Sequence, residues 1–312
     1  GDDLIVGGGG NDTIVGGDGN DTLTGGSGLD SFTVDLGDDT ITDLGNGGDD
    51  VVVVSSGAVA TATVTNSSGY TATSDSSNNG GLNVSLSSGV GSEKTVSFAN
   101  LGGINGVSLV GNAENNILIG SSQADTITGG LGIELITGGG GADTFIVDIG
   151  TDSISDLGTG GTDVIIVASG ATAIATVKEE FGFTANGLSE NDGVLDVELA
   201  TSVGPNRTVS FEALGGTAGV NLTGNGENNV LIGSQFDDTL TGGAGTELLT
   251  GGSGNDTFIV DNGTDSISDL GTGLDIVQVS ASATANATII NAGGYTATSS
   301  SSNNGILNVT LA

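Results

Sequence analysis

Several residue types that usually carry chemistry are missing from this chain of 312 residues. It contains no cysteine and no histidine, which excludes disulfides, thiolate metal sites and the imidazole that most often serves as zinc ligand or general base. Only three basic residues, Lys94, Lys178 and Arg207, stand against 38 acidic ones, so the formal net charge is −35. Such a chain repels itself and nucleic acid, so we expect no nucleic-acid partner and compaction by bound divalent cations.

Aromatic residues, proline and long apolar runs are also scarce. Aromatics make up 3% of the chain, Pro205 is its one proline, and 60 residues are glycine. This composition favours a thin, repetitive β architecture over a core of large interlocking side chains. No apolar run approaches the ~20 residues of a membrane helix, so we expect no membrane insertion. No signal peptide or initiating methionine is visible, and both ends fall within repeats, so we expect a segment of a longer protein.

A tandem nonapeptide fills the first part of the chain. Residues 7–33 read GGGGNDTIV, GGDGNDTLT and GGSGLDSFT, which are copies of G-G-x-G-x-D-x-U-x with U apolar. Glycine permits the special backbone angles of a tight turn, and turn carbonyls with a carboxylate suit calcium. The last three residues predict a short strand with U pointing inward. Two nonapeptides then form one coil, which predicts stacking of Asp3 with Asp21 and of Asp12 with Asp30.

This repeat resembles the RTX, or hemolysin-type, calcium-binding repeat of secreted bacterial proteins. The resemblance implies a parallel β-roll that binds multiple Ca²⁺ ions. It also implies type I secretion of a chain that stays unfolded at low cytosolic calcium and folds outside the cell. An extracellular or cell-surface location is therefore expected.

The array returns twice at a fixed spacing, since Phe32, Phe145 and Phe258 are each 113 residues apart. We predict an all-β chain in which parallel β-roll (β-solenoid) calcium arrays alternate with short β-rich segments, in tandem modules of about 113 residues. The predicted arrays are residues 1–53, 111–167 and 224–279. The predicted β-rich segments are residues 54–110, 168–223 and a truncated 280–312.

The β-rich segments differ from the arrays in composition. They contain alternating runs such as TATVT and LNVSL, whose period of two predicts strands. A small β-sandwich and a metal-free continuation of the solenoid both fit this pattern. We favour a separate β module for the central part, with VSLVG and VNLTG restarting the coil.

The second and third arrays depart from the motif on one edge. The all-Asp edge pairs Asp125 with Asp143, and Asp238 with Asp256; the other edge pairs Asn116 with Glu134, and Asn229 with Glu247. Neutral Asn lowers the ligand charge, and Glu is one methylene longer than Asp. We therefore expect tighter calcium binding on the all-Asp edge, with Glu114 and Glu227 as further candidate ligands on the other.

Each array ends in looser turns. Asp39, Asp152 and Asp265 keep the nine-residue step, whereas Asp50, Asp163 and Asp275 end a G-x-G loop that we expect to be an imperfect calcium turn. The complete set of candidate metal ligands is Asp3, Asp12, Asp21, Asp30, Asp39, Asp50, Asn116, Asp125, Glu134, Asp143, Asp152, Asp163, Asn229, Asp238, Glu247, Asp256, Asp265 and Asp275.

The first strand of every array is apolar at both outward places. The pairs are Leu4 and Val6, Ile117 and Ile119, and Val230 and Ile232. Cover by the neighbouring β-rich segment and contact with another subunit both explain such pairs. We hypothesise that these strands dock the array on its partner and support self-association.

These features favour an extracellular, calcium-dependent structural repeat protein, such as a stalk, surface-layer or filament subunit. The alternative is a folding and type I secretion appendage of an RTX toxin, protease, lipase or epimerase whose active domain lies outside this segment. A ligand-binding adhesin would need a recognition domain that is not visible. The repeat itself accounts for the carboxylates, so we expect no catalytic site.

Overall fold

A computed structural model describes residues 1–291 and 294–312 of the chain. Residues 292 and 293, within the third predicted β-rich segment, lie outside that part. The chain divides into two compact units, Gly1–Ser153 and Ile154–Ala312. Every regular element in the described ranges is a β-strand, which confirms the all-β prediction. No helix capable of crossing a membrane occurs in those same ranges.

The first unit is built from short strands, most of them three to seven residues long. They are β1 (Leu4–Gly9), β2 (Thr13–Val15), β3 (Thr22–Ser27), β4 (Ser31–Val34), β5 (Asp38–Leu44), β6 (Val51–Val54), β7 (Val59–Val64), β8 (Tyr70–Thr71), β9 (Ser77–Asn78), β10 (Gly81–Leu86), β11 (Lys94–Ser97), β12 (Gly102–Gly103), β13 (Ser108–Val110), β14 (Asn116–Ile119), β15 (Thr126–Thr128), β16 (Leu135–Thr137) and β17 (Thr144–Val147).

The remaining strands are of the same kind and lie in the second unit, apart from the first three residues of β18. They are β18 (Thr151–Leu157), β19 (Val164–Val167), β20 (Thr172–Val177), β21 (Gly182–Thr184), β22 (Glu190–Asn191), β23 (Val194–Leu199), β24 (Arg207–Ser210), β25 (Gly215–Gly216), β26 (Asn221–Thr223), β27 (Asn229–Ile232), β28 (Thr239–Thr241), β29 (Leu248–Thr250), β30 (Thr257–Val260), β31 (Thr264–Leu270), β32 (Ile276–Val279), β33 (Thr284–Ile289), β34 (Ser302–Asn303) and β35 (Ile306–Leu311).

The arrays of the first unit coil between two parallel sheets. One face contains β1, β3 and β5, and the opposite face contains β2, β4 and β6. Leu4 lies opposite Thr22 and Thr13 opposite Ser31, so successive coils are eighteen residues apart. The eighth-place residues Leu23 and Phe32 are fully buried, as the inward place of the motif predicts. Each unit is therefore a parallel β-solenoid, in agreement with the predicted β-roll.

Residues 54–110 continue the same coil instead of forming a separate module, so the module that we favoured is wrong. Strands β7, β10, β13 and β15 pair in parallel without interruption. The coils here carry a third strand, because β8 and β11 form one side while β9 and β12 form another. The added side lengthens the coil: Thr61 lies opposite Asn83, and Asn83 opposite Ser108. The solenoid continuation was the correct alternative.

The second unit repeats this organisation within itself. Its β-rich segment forms three-sided coils from β20 to β25, with β20 paired to β23, β21 to β24 and β22 to β25. Strand β26 then pairs with both β23 and β28, so the coil runs on into the third array. That array is two-sided again, with Asn221 opposite Thr239 and Val230 opposite Leu248.

Candidate calcium sites

The aspartates of the first array form two hydrogen-bonded ladders along the turn edges. On one edge the Asp3 amide donates to Asp21 Oδ1 at 2.7 Å, and the Asp21 amide donates to Asp39 Oδ1 at 2.9 Å. On the other edge the Asp12 amide donates to Asp30 Oδ1 at 2.9 Å. The predicted stacking of Asp3 with Asp21 and of Asp12 with Asp30 is confirmed. Each carboxylate therefore has one oxygen fixed by the preceding coil.

The second oxygen of these carboxylates has no protein partner. It is buried and unbonded in four residues of the first array: Asp12, Asp21, Asp30 and Asp39. Burying a charged oxygen without a partner is unfavourable unless a cation compensates it. The row of free Oδ2 atoms is therefore the feature of this array that calls for a metal ion.

The first-place glycines leave space beside these oxygens. A Cβ on Gly16 would lie 2.7 Å from Asp21 Oδ2 and 3.1 Å from Asp39 Oδ2. A Cβ on Gly7 would lie 2.6 Å from Asp12 Oδ2 and 2.7 Å from the Gly25 carbonyl oxygen. Carboxylate and carbonyl oxygens from successive coils thus converge where only glycine fits. This donor set, entirely of oxygen, fits calcium.

On the all-Asp edge of the later arrays, the first aspartate of each pair (Asp125 and Asp238) differs from the aspartates of the first array in its hydrogen bonds. The Asp125 amide donates to Asp143 Oδ1 at 2.9 Å, and the Asp238 amide donates to Asp256 Oδ1 at 3.0 Å, so the predicted pairs stack. Asp256 Oδ2 is buried without a partner, like the oxygens of the first array. Both oxygens of Asp125 and of Asp238, in contrast, are hydrogen-bonded.

The Asn and Glu edge holds the larger number of free oxygens. Strand register places Asn116 beside Glu134, and the Glu134 amide donates to Asp152 Oδ1 at 3.0 Å. The third array repeats this with Asn229, Glu247 and Asp265. The buried oxygens without a partner are Asn116 Oδ1, Glu134 Oε1 and Oε2, Asp152 Oδ2, Asn229 Oδ1, Glu247 Oε1 and Oε2, and Asp265 Oδ2.

Burial raises the pKa of several of these acids. Burial, together with the adjacent Asp152 carboxylate, raises the pKa of Glu134 to about 9, and burial with Asp265 does the same for Glu247. Burial and the neighbouring Asp238 raise the pKa of Asp256 to about 8. Without a cation these carboxyls therefore retain protons near neutral pH, and a bound dication favours their charged form.

The turns that end the arrays satisfy their own carboxylates. Asp50 Oδ1 accepts from the Asp30 amide at 2.8 Å, and Oδ2 accepts from the Gly45 amide at 2.7 Å. Asp275 is held in the same way by the amides of Asp256 and Gly271. Asp163, the equivalent residue of the second array, accepts from the Gly158 amide at 2.6 Å. We expected imperfect calcium turns at these three positions. The backbone amides that bond their carboxylates make a cation less necessary there.

Sequence reasoning missed a group of side chains that close turns without metal. Asp43 accepts from the amides of Gly25 and Gly26 at 2.9 and 2.8 Å, and Asp269 caps the equivalent glycines of the third array. In the three-sided coils the buried Asn78 donates to the Gly106 carbonyl. The available signal was the spacing of eighteen residues between Asp43 and Gly25.

Within residues 1–291 and 294–312, no group of three or more acidic side chains is placed to hold a metal ion by itself. A calcium ion at these turns would therefore be held by one or two carboxylates completed by backbone carbonyls. Glu114 contributes to such a set through its carbonyl oxygen, which would lie 2.6 Å from a Cβ on Gly132, and Glu227 does the same at Gly245 at 2.7 Å.

The outward apolar pairs differ in exposure. Leu4 and Val6 are 74% and 62% exposed, whereas Ile117 and Ile119 are half-buried. Ile117 lies between Thr95 and Leu135 of the adjacent coils. Val230 and Ile232 are half-buried in the same way. The chain thus supplies part of the cover for the second and third pairs.

A family model of the RTX calcium-binding nonapeptide repeat matches the chain in four copies, at residues 1–32, 108–133, 135–154 and 223–268. Comparison with curated proteins and with solved structures gave no match. RTX repeats are typical of secreted bacterial proteins and occur in both enzymes and non-enzymes. The matches cover most of the ladder residues described above, whereas Asp39 and Glu134 lie outside the matched ranges. The chain is therefore a calcium-binding repeat protein that carries RTX nonapeptide repeats in all three of its arrays.

Proposed function

We propose that this chain is an extracellular structural repeat protein, a stalk, surface-layer or filament subunit, whose folding and rigidity depend on calcium. The observation that carries the proposal is the series of buried carboxylate oxygens without a protein partner at successive turns of both units. Because an ionised carboxylate that is buried without a partner opposes folding, a cation at these turns stabilises the folded state.

Extracellular calcium is suited to this role. Oxygen-lined sites in extracellular modules bind calcium with dissociation constants of ~0.1–1 mM, so they remain empty in the cytosol. A site that holds calcium at one hundred times its dissociation constant adds about 2.7 kcal/mol to the free energy of unfolding. Several such sites decide whether the chain folds, which supports secretion in an unfolded state and folding outside the cell.

A non-catalytic role is part of the proposal. The chain has no histidine or cysteine to serve as nucleophile or base, and its carboxylates belong to the turn ladders. Its charge of −35 opposes contact with nucleic acid. The partners that we propose are calcium ions and further copies of the chain.

Self-association is proposed to use the outward apolar pairs, of which Leu4 and Val6 are the most exposed. Replacing both Ile117 and Ile119 by Ser removes the outward apolar pair of the second array. We expect the variant to fold in calcium but to lose assemblies in sedimentation velocity. The matched control replaces Thr126 and Thr128 by Ser on strand β15, where the outward side chains are already polar. Unchanged assembly of the isoleucine variant would contradict this contact.

The appendage alternative rests on the finding that RTX repeats also occur in enzymes. Negative-stain microscopy of the chelated chain after addition of calcium separates the two functions. Filaments or sheets are expected for the structural role. Calcium-dependent folding into single monomers would instead favour a folding appendage.

A further inference from the structure

Asp125 occupies the sixth place of its nonapeptide, where the motif puts a calcium ligand, yet its carboxylate is saturated by the protein. Oδ1 accepts from the Val107 amide at 2.6 Å and from Ser121 Oγ at 3.0 Å. Oδ2 accepts from the Ser121 amide at 2.6 Å and lies 3.1 Å from the same hydroxyl. Asp125 is buried, with 2% of its surface exposed. The serine therefore hydrogen-bonds the carboxylate oxygen that is left without a partner in the first array.

The substitution responsible is visible in the turn. Ser121 stands in the second place of its nonapeptide, where the first array has glycine residues such as Gly8 and Gly17. Glycine has no side chain that could donate a hydrogen bond, so the Asp carboxylate of those turns keeps a free oxygen. Serine supplies a donor to it.

Glu134 differs from Asp125 in that no N–H or hydroxyl group of the protein donates a hydrogen bond to either of its carboxylate oxygens. Its side chain is 1% exposed, and the polar group that faces it is the Asp152 carboxyl. Asp152 Oδ2 from the next coil and Asn116 Oδ1 from the previous coil are also buried without partners. The Asn116 Nδ2 group donates to the Gly91 carbonyl at 3.2 Å, which leaves the amide oxygen as an acceptor. Four free oxygens thus belong to three side chains of successive coils.

The turn around Glu134 is adapted to the longer side chain. A Cβ on Gly129 would lie 2.2 Å from Asp152 Oδ2 and 3.1 Å from Glu134 Oε2. A Cβ on Gly132 would lie 2.3 Å from Glu134 Oε1 and 2.6 Å from the Glu114 carbonyl oxygen. Glu134 therefore reaches both a carboxylate and a carbonyl in the space that the glycines leave open.

The backbone of this turn also differs from that of the Asp turns. Gly28 and Gly141, in the fourth place of Asp turns, adopt φ of +138° and +115°. Gly132 and Gly245, in the fourth place of the Glu turns, lie outside this left-handed region. The altered turn is the physical reason why the extra methylene can be accommodated.

The second unit contains the same arrangement 113 residues further along the chain. Asp238 accepts from the Val220 amide at 2.7 Å and from Ser234 Oγ at 3.0 Å, so it is saturated like Asp125. Glu247 is 1% exposed with both oxygens free, and Asn229 Oδ1 and Asp265 Oδ2 are free beside it. The arrangement therefore belongs to the repeated module and not to one turn alone.

We propose that the Glu134 and Glu247 turns of the second and third arrays bind calcium, and that Asp125 and Asp238 are serine-capped carboxylates that hold no calcium. The proposal rests on the calcium-dependent function proposed above and reverses the affinity order that the sequence led us to expect. Asn and Asp from the adjacent coils complete each glutamate site. The hydroxyls of Ser121 and Ser234 replace the ion at the other edge.

The test compares two isosteric pairs of substitutions in the complete chain. Equilibrium dialysis against calcium counts the ions bound by the unmodified chain, by the Glu134→Gln, Glu247→Gln variant and by the Asp125→Asn, Asp238→Asn variant. We expect the glutamine variant to lose one ion for each residue replaced. The asparagine variant keeps the full number but has a lower Tm both in calcium and in chelator.

A second variant tests the same claim if the Asp125→Asn, Asp238→Asn variant misfolds. Ser121→Ala with Ser234→Ala removes the capping hydroxyls and leaves the carboxylates in place, and it too is expected to retain every ion while its Tm falls. Loss of calcium from the Asp125→Asn, Asp238→Asn variant, or full retention by the glutamine variant, would overturn the proposal. If the unmodified chain binds no calcium, the calcium-dependent function itself fails, which is a distinct outcome.

Discussion

At the scale of single residues, the first-place glycines decide whether an ion fits between successive carboxylates. Gly16 lies outside the left-handed region, so its replacement by Ala introduces a methyl group with no backbone strain. That methyl would lie 2.7 Å from Asp21 Oδ2 and 3.1 Å from Asp39 Oδ2, in the space the ion needs.

Gly16→Ala is therefore expected to weaken calcium binding at this turn and to reduce the calcium-dependent gain in stability by up to about 2.7 kcal/mol, the contribution of one site at one hundred times its dissociation constant. Urea unfolding in calcium and in chelator measures the difference. Gly187→Ala is the control, since no atom lies within 4 Å of its added Cβ. Equal effects of the two substitutions would contradict the assignment of an ion site beside Gly16.

The buried acids predict an unusual pH dependence for the calcium-free chain. Burial raises the pKa of Asp50 to about 6 and that of Asp256 to about 8, and burial with Asp152 raises that of Glu134 to about 9. An acid whose pKa is higher in the folded state binds its proton more tightly there. The resulting stabilisation is complete below the unfolded-state pKa of about 4 and is lost as the pH rises through the folded-state values.

We therefore expect the free energy of unfolding in chelator to fall from about pH 4 to about pH 9. In saturating calcium the trend reverses, because the ion binds deprotonated carboxylates. Urea titrations at several pH values measure both slopes, and Glu134→Gln with Glu247→Gln should flatten the slope in chelator. A calcium-free chain that becomes more stable at high pH would disagree with this account.

At the scale of elements, the turns of the three-sided coils are hydrogen-bonded by neutral polar side chains, where the arrays have carboxylates. Asn78 is fully buried; its Nδ2 group donates to the Gly106 carbonyl, and its Oδ1 accepts from the Gly80 amide at 3.1 Å. Ser76 Oγ accepts from the Val52 amide in the same coil. The protein itself therefore supplies hydrogen-bond partners to these two side chains.

Asn78→Ala is expected to destabilise the chain by about 1–3 kcal/mol, because it leaves the partly buried Gly106 carbonyl and Gly80 amide without their partner. The loss should be the same in calcium and in chelator, in contrast to the effect of Gly16→Ala. Asn83→Ala, at an outward exposed place of strand β10, is the control. A loss that appears only in calcium would mean that this coil also depends on the ion.

The periodic parts of the fold were predictable from the sequence, and the aperiodic parts were not. The step of eighteen residues fixed the pairing of Leu4 with Thr22 and the stacking of Asp12 with Asp30. The β-rich segments kept the strand period but lengthened the coil, as between Asn83 and Ser108, so no fixed repeat revealed the third side. The saturation of Asp125 depended on a serine four residues away that the motif treats as a variation.

At the scale of the whole molecule, the net charge of −35 opposes compaction of the chain. Ions bound at sites and general screening by dissolved salt would both reduce this repulsion. Dissolved salt screens exposed charges over a Debye length of about 10 Å at 0.1 M ionic strength, but buried charges are screened much less. The free carboxylate oxygens of the ladders are buried. Screening alone should therefore leave the main obstacle to folding in place.

We expect calcium to reduce the hydrodynamic radius of the chelated chain far more than sodium chloride of equal ionic strength. Size-exclusion chromatography with light scattering measures this difference. Equal compaction by sodium would mean that charge repulsion, rather than site binding, keeps the chain unfolded.

The most direct test of calcium-dependent folding is far-ultraviolet circular dichroism of the chelated chain during a calcium titration, with magnesium as the comparison ion. The account predicts a cooperative gain of β signal at calcium concentrations of ~0.1–1 mM, and little gain with magnesium, which demands smaller octahedral sites. A β signal already complete in chelator and unchanged by calcium would contradict the account, because the carboxylate ladders would then only shape the turns.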